Sequence, residues 1–280
     1  MTAPPTVPDV PLANGVTIPQ LGLGTARLDD EQTRAIVREA LEVGYRFIDT
    51  AASYENERGV GQGIADSGLP REQLFVSTKL RGRDQGAGST RRALLDSLDR
   101  LGLDVVDLYL IHWPLPRLDR YVQSWLVMED LLAEGLTRAI GVSNFLPGHL
   151  DRLAAAGSVV PAVNQIECHP RDPQPEQRAD DARRGIVTQS WSPLASGELL
   201  ASPVLAGIGA RHGRTPAQVV LRWHVQQGLV TFPKASSRGR LQENLDVFDF
   251  TLDDGDMAGI ATLADGTRVN GQHPDAWEEF

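Results

Sequence analysis

A (β/α)8 barrel with a short amino-terminal β-hairpin closing its bottom is the fold this sequence predicts, and three observations carry the prediction. Short β-branched runs alternate with longer helical patterns, the arrangement expected of parallel strands joined by helical crossovers. The alternation repeats until eight strands and eight helices are in hand. A chain of 280 residues with 41% hydrophobic content can also fill the core of one such barrel, for which about 250 residues is typical.

The elements follow in order. Residues 12–19, with Asn14-Gly15 as the turn, predict the hairpin. Strands are predicted at 21–25, 45–49, 74–79, 106–112, 138–143, 162–167, 186–191 and 229–232. Between and after them, helical patterns run over 30–43, 56–67, 89–101, 121–134, 146–156, 174–183, 215–227 and 238–247, several opened by the Asp, Asn, Ser or Thr that caps a helix. Pro161, Pro170, Pro173 and Pro175 stiffen the loops around the sixth strand. No gap is long or polar enough to mark a boundary, so residues 1–280 read as one domain.

Charge and cysteine usage narrow the function. A net charge of −10 argues against a general affinity for nucleic acid or for an anionic membrane surface, both of which need basic patches. The single cysteine, Cys168, can form no internal disulfide and no structural zinc site, and it reads as a small buried hydrophobe; no metal is expected. Residues 1–10 are rich in proline and threonine, and no stretch reaches the ~18 apolar residues of a membrane span. A cytoplasmic monomer acting on a small molecule is the expectation.

Of the 27 basic residues, only Lys79 and Lys234 are lysine. Arginine keeps its proton under all ordinary conditions, whereas a lysine ammonium is a compact charge whose pKa responds to its surroundings. Both lysines fall where a short apolar strand stops. In barrels of this kind chemistry sits at the carboxyl ends of the strands, and here those ends carry a series of polar or aromatic residues. Asp49 ends the second strand, Lys79 the third, His112 the fourth, Ser143-Asn144 the fifth, Gln165 with Glu167 the sixth, Trp191 the seventh and Lys234 the eighth.

The motifs Asp49-Thr50-Ala51-Ala52-Ser53-Tyr54-Glu55-Asn56-Glu57, Ser77-Thr78-Lys79 and Leu108-Tyr109-Leu110-Ile111-His112-Trp113-Pro114 together resemble the aldo-keto reductase family. The resemblance continues through Gly141-Val142-Ser143-Asn144-Phe145, Val163-Asn164-Gln165-Ile166-Glu167, Trp191-Ser192-Pro193-Leu194 and Pro233-Lys234 with Arg240 and Glu243-Asn244, in the family's order. It implies reversible hydride transfer between NADPH and a carbonyl, with Asp49, Tyr54, Lys79 and His112 as the catalytic tetrad. The chemistry is consistent with those residue types. Tyrosine, with an ordinary pKa of about 10, needs a nearby cation to act as a proton donor at neutral pH, and a buried ammonium needs a carboxylate.

The resemblance also implies the cofactor contacts. Ser143, Asn144 and Gln165 would bond the nicotinamide carboxamide, with Trp191 stacking on the ring; Gly24, Thr25, Ser192, Leu194 and Ala235 belong to the same cofactor-binding set. Lys234 and Arg240 would meet the 2′-phosphate, with Glu243 and Asn244 facing the adenine. Ala235 stands where the family usually has serine, so Ser236 or Ser237 must supply a hydroxyl if one is needed. Neither Gly22-Leu23-Gly24-Thr25 nor Gly59-Val60-Gly61-Gln62-Gly63 completes a G-x-G-x-x-G, and neither lysine lies in a phosphate-binding P-loop.

Two other functions are compatible with a strand-end lysine on such a barrel. A Schiff-base aldolase would use Lys79 or Lys234 as nucleophile. A redox-sensing subunit would bind NADPH without turnover. Compact bacterial relatives of the 2,5-diketo-D-gluconate reductase branch are the most similar in pattern, which suggests a small dicarbonyl, keto ester or keto-sugar acid as substrate. Ala26 and Arg81 replace aromatic residues common in the family, predicting a wide mouth lined by Trp113, with Arg81 free to pair with a substrate carboxylate. The segment 266–280 predicts no long loop over the site.

Overall fold

A computed structural model describes residues 7–279; residues 1–6 of the proline-rich start and Phe280 lie outside the described residues. The chain opens with β1 (Asp9–Pro11) and β2 (Thr17–Pro19), paired antiparallel with Val10 opposite Ile18. The first hairpin strand therefore lies ahead of the predicted 12–19 segment. The reason is the turn's length: Leu12 N–H bonds the Val16 carbonyl at 2.8 Å, so residues 12–16 are loop, with Gly15 at φ +85°. Leu12 and Ile18 are buried with Phe47, Phe75, Leu108, Val163 and Val230 in one apolar cluster. The hairpin thus plugs the amino-terminal end of the barrel, because those five residues begin five of its strands.

The barrel strands are β3 (Leu23–Gly24), β4 (Phe47–Asp49), β5 (Phe75–Leu80), β6 (Leu108–Ile111), β7 (Ile140–Ser143), β8 (Val163–Glu167), β9 (Val187–Trp191) and β10 (Val230–Thr231). All neighbours pair in parallel and in sequence order from β3 to β10. A parallel bridge between Leu21 and Thr231, with Gly22 N–H donating to the Thr231 carbonyl at 2.9 Å, joins the first strand to the last. Nearly every strand residue is buried, as a sheet covered on its outer face requires.

The helices are α1 (Asp30–Val43), α2 (Glu57–Ser67), α3 (Thr90–Leu101), α4 (Tyr121–Ala133), α5 (Pro147–Ala156), α6 (Pro175–Arg183), α7 (Pro203–His212), α8 (Pro216–Gln226), α9 (Arg238–Leu245) and α10 (Asp254–Ala261). Eight coincide with the predicted patterns to within two residues. α7 and α10 were not predicted, because each carries two glycines that weaken a helical pattern, Gly207 and Gly209 in one and Gly255 and Gly259 in the other. Their starts are conventional: Ser202 caps α7 ahead of Pro203, and Asp253 forms a capping box with Asp256 on α10.

The glycines of α2 serve packing. A Cβ on Gly61 would lie 2.1 Å from the Leu101 carbonyl oxygen at the end of α3, and one on Gly59 would lie 2.3 Å from the Asp30 carbonyl of α1. The absent side chains let α2 sit close against both neighbours. That contact holds the loop preceding α2, which carries Tyr54, at the barrel mouth.

Candidate active site

The barrel's carboxyl end brings Asp49, Tyr54, Lys79 and His112 together. Asp49 is the last residue of β4 and is 1% exposed; Lys79, one residue from the end of β5, is fully buried. Lys79 Nζ donates to Asp49 Oδ2 at 2.7 Å and to the Thr50 carbonyl at 2.8 Å. The other carboxylate oxygen accepts from Ser77 Oγ at 2.7 Å and from Gln165 Nε2 at 2.9 Å, so Asp49 cannot swing away from the ammonium. Burial pulls the Lys79 pKa down, but Asp49 and Tyr54 outweigh it and hold the ammonium above its ordinary value. Lys79 is a fixed cation.

Tyr54 sits on the single turn of 3-10 helix at Ala52–Tyr54, directly after β4. Lys79 Nζ lies 5.1 Å from its ring centroid, and the His112 ring meets it edge-on at 5.8 Å. Burial raises the Tyr54 pKa, and the attraction of Lys79 offsets only part of that rise. The phenol therefore keeps its proton at neutral pH. His112 follows β6, anchored by its N–H to the Leu80 carbonyl at 3.1 Å and by Asn144 Nδ2 donating to its own carbonyl at 3.0 Å.

Asn56 gives the loops their shape. Its amide donates to the carbonyls of Thr25 and Leu28 at 2.8 and 2.9 Å, while its Oδ1 accepts from Thr50 Oγ1 at 3.0 Å. Asn56 opens α2 as the sequence predicts, its carbonyl accepting the Val60 N–H at 3.1 Å, but its buried side chain makes no capping bond and instead ties the loop after β3 to the loop after β4.

A second group lies on the neighbouring strand ends. Ser143 Oγ donates to the Gln165 carbonyl at 2.8 Å and accepts from Asn144 Nδ2 at 3.0 Å. Asn144 has the left-handed backbone, φ +65°, and its Oδ1 accepts from Trp191 Nε1 at 2.9 Å. Gln165 Nε2 is committed to Asp49 and to Gln189 Oε1, leaving its own Oε1 without a protein partner among the described residues. Trp191, Ser192 and Leu194 are half-buried. Gly24 ends β3 and Thr25 follows it; Thr25 N–H bonds the Asp49 carbonyl at 3.1 Å, and a Cβ on Gly24 would meet the Phe232 carbonyl oxygen at 2.7 Å.

The third group is near the start of α9. Lys234 and Arg240 are exposed, and neither has a carboxylate within salt-bridge distance among the described residues. Ala235 is buried in the core, and Ser237 Oγ accepts the Arg240 N–H at 3.4 Å as a helix cap. Asn244 is buried on the same helix, whereas Glu243 Oε1 accepts from Thr215 Oγ1 at 2.5 Å.

Of the residues expected to face substrate, Ala26 is half-buried, and the Arg81 guanidinium is already paired with Asp84 at 2.5 Å. Trp113 packs against Trp191 at 6.5 Å and against Trp277 at 6.0 Å between centroids. Trp277 and Glu279 belong to the segment after α10, which was not predicted to reach the site. Glu279 Oε1 lies 2.5 Å from His112 Nδ1, and its Oε2 accepts the Gly82 N–H at 2.8 Å. Burial disfavours this carboxylate, yet His112, Gly82 N–H and Ser53 together hold its pKa below the ordinary value. An acidic pair at a chain end, Glu278-Glu279, carries no sequence signal that separates it from solvated surface.

Sequence and fold together match a known family. A model of the aldo/keto reductase family matches residues 19–265. An aldo-keto reductase of Mycolicibacterium smegmatis is 49% identical over 94% of this chain and 95% of its own length. The methylglyoxal reductase DkgA of Escherichia coli K12 is 46% identical over 98% of each chain. The crystal structure of a mutant of Gox0644 in complex with NADPH superposes with a TM-score of 0.93 at 42% identity, covering 98% of this chain and 99% of that one. The chain belongs to the aldo-keto reductase family, and it is an oxidoreductase.

Proposed function

We propose that the protein reduces a small aldehyde or ketone to the alcohol with NADPH, Tyr54 donating the proton. The observation that carries this reading is the Lys79 ammonium, sealed between Asp49 and the Thr50 carbonyl beneath the Tyr54 ring. A carbonyl oxygen that gains negative charge needs a proton donor beside it and a fixed positive charge behind that donor. Tyr54 is the donor and Lys79 the charge; Asp49 fixes where the ammonium points. His112 orients the carbonyl oxygen.

The donor set fits NADPH. Lys234 and Arg240 offer a point charge and a planar fork, both exposed, to a 2′-phosphate. The unpartnered Gln165 Oε1 can accept from a carboxamide, and the half-buried Trp191 ring, fixed by Asn144, offers a stacking face. When bound, NADPH supplies the hydride. The close approach of backbone at Gly24, and Thr25, Ser192 and Leu194 beside it, would line the same cleft. Glu243 accepts from Thr215 through Oε1, which leaves Oε2 to face adenine.

The Schiff-base alternative through Lys79 fares poorly, because Lys79 is held protonated and an ammonium has no lone pair with which to attack a carbonyl. For the substrate, a small dicarbonyl is the favoured class, supported by the likeness to a methylglyoxal reductase. A panel of dicarbonyls, keto esters and keto acids assayed with NADPH tests the whole reading. Consumption of NADPH with dicarbonyls, abolished in Tyr54→Phe, is the expected result; turnover retained by Tyr54→Phe would refute it.

A further inference from the structure

The tail after α10 places a carboxylate on the histidine that the proposed reaction needs as a hydrogen-bond donor. Glu279 is anchored from several sides. Gly82 N–H holds its Oε2 at 2.8 Å, Trp277 rests on Trp113, Asp275 meets His149 Nε2 at 3.0 Å, and Glu278 meets Arg117 at 3.0 Å. The side chain of Glu279 is only 16% exposed. Its Oε1 lies 2.5 Å from His112 Nδ1, and Ser53 Oγ lies 3.2 Å from the same nitrogen.

A carboxylate accepts hydrogen bonds and donates none, so the proton in the short Glu279–His112 contact is on Nδ1. A doubly protonated ring keeps Nε2–H whatever Nδ1 meets, so only the neutral imidazole, which carries one ring proton, has a tautomer to set. With that proton at Nδ1, Nε2 is a bare lone pair and has nothing to donate to a carbonyl oxygen. Take the carboxylate away, and the Ser53 hydroxyl is the remaining neighbour of Nδ1 and can donate to it. The ring proton then belongs on Nε2, where it can orient a carbonyl. The two tautomers differ in which neighbour Nδ1 has, and Glu279 is one of those neighbours.

We propose that Glu279 is a positioning residue that sets the tautomer of His112: with the tail docked, the imidazole is held in the form that cannot donate to a substrate carbonyl. The tail is a self-restraint on turnover. It rests on the reading above in which His112 bonds the carbonyl oxygen, and it goes beyond that reading by assigning a role to residues 273–279. A glutamine at 279 is the informative replacement. Its oxygen can still accept from Gly82 N–H, while its amide N–H can donate to Nδ1, so the tail stays docked but the ring proton is driven to Nε2.

The test uses the full chain. Ring nitrogens of the six histidines are labelled with nitrogen-15, and His112 is assigned by its loss in His112→Gln. The Nδ1–H pattern is expected in the wild type and the Nε2–H pattern in Glu279→Gln and in Trp277→Ala, which loses its hold on Trp113. With a dicarbonyl and NADPH, both variants should raise kcat about fivefold, the size of one net hydrogen bond, without changing the KM for NADPH. A wild-type His112 that already shows Nε2–H, or is doubly protonated, would overturn the proposal. So would an unchanged or lowered kcat in Glu279→Gln. If the wild type reduces no carbonyl, the functional reading fails instead, while the spectra still decide the tautomer.

Discussion

Lys79 and Tyr54 carry the sharpest expectations at the scale of single residues. Tyr54→Phe keeps the ring that packs on His112 and removes only the hydroxyl, so NADPH binding followed by fluorescence should be nearly intact while turnover falls by about 10² to 10⁴-fold. Lys79→Arg keeps the charge and should fail almost as badly. Its planar guanidinium cannot fit a fully buried space shaped by bonds of 2.7 and 2.8 Å to Asp49 and Thr50. Wild-type rates in Lys79→Arg would remove the compact ammonium from the mechanism. At the phosphate end, Lys234→Ala and Arg240→Ala should each weaken NADPH far more than NADH, and equal losses in titrations with the two cofactors would refute a phosphate role. Lys79 and Lys234 stand out in the sequence as the two lysines, each at the end of an apolar strand, whereas Tyr54 and Arg240 were singled out only by their place in the family motifs. Glu279 was not legible, since the signal for it is the path of the tail in space, and nothing in the run from 266 to 280 encodes where that path ends.

At the scale of elements, the sequence revealed most of what has a strong period. The eight barrel helices and strands were predicted to within about two residues at most ends because apolar spacing and caps agree there. The short hairpin strand and the glycine-bearing α7 and α10 escaped for the opposite reason: three residues have no period, and paired glycines dilute one. The Gly59–Gly61–Gly63 run illustrates how the same residues read differently once packed. Rejected in sequence as a dinucleotide motif, it is a close-contact face between α2 and its neighbours α1 and α3. Gly61→Ala should therefore destabilise the protein by about 1–3 kcal/mol in chemical denaturation despite alanine's better helix propensity, because the added methyl would overlap the Leu101 carbonyl. A neutral or stabilising result would mean that α3 can retreat from α2 without loss.

At the scale of the whole molecule, a buried acid outside the Asp49, Tyr54, Lys79 and His112 group costs the fold stability. Asp181, at the end of α6, is fully buried against β8 and β9. Its Oδ1 accepts from Asn164 Nδ2 at 3.0 Å and Gln177 Nε2 at 2.9 Å, and its Oδ2 accepts from Thr188 Oγ1 at 3.0 Å. Burial pushes its pKa up to about 6, and those three hydrogen bonds recover only part of the cost. The sign follows from linkage. Above the unfolded-state pKa, near 4, and below about 6, the folded state holds a proton that the unfolded state has released, so stability falls as pH rises through that window and then levels. The cost at neutral pH is at most about 3 kcal/mol, the equivalent of roughly two pKa units. Asp181→Asn removes the charge and preserves the contacts, for the amide oxygen can accept from Asn164 and Gln177 while its N–H2 donates to the Thr188 hydroxyl. Denaturation near pH 7.5 should find Asp181→Asn more stable than the wild type, with the gain shrinking towards zero near pH 4. A gain independent of pH would show that the charge of Asp181 is not what the fold resists, and a loss at neutral pH would show that the carboxylate's hydrogen bonds outweigh its burial.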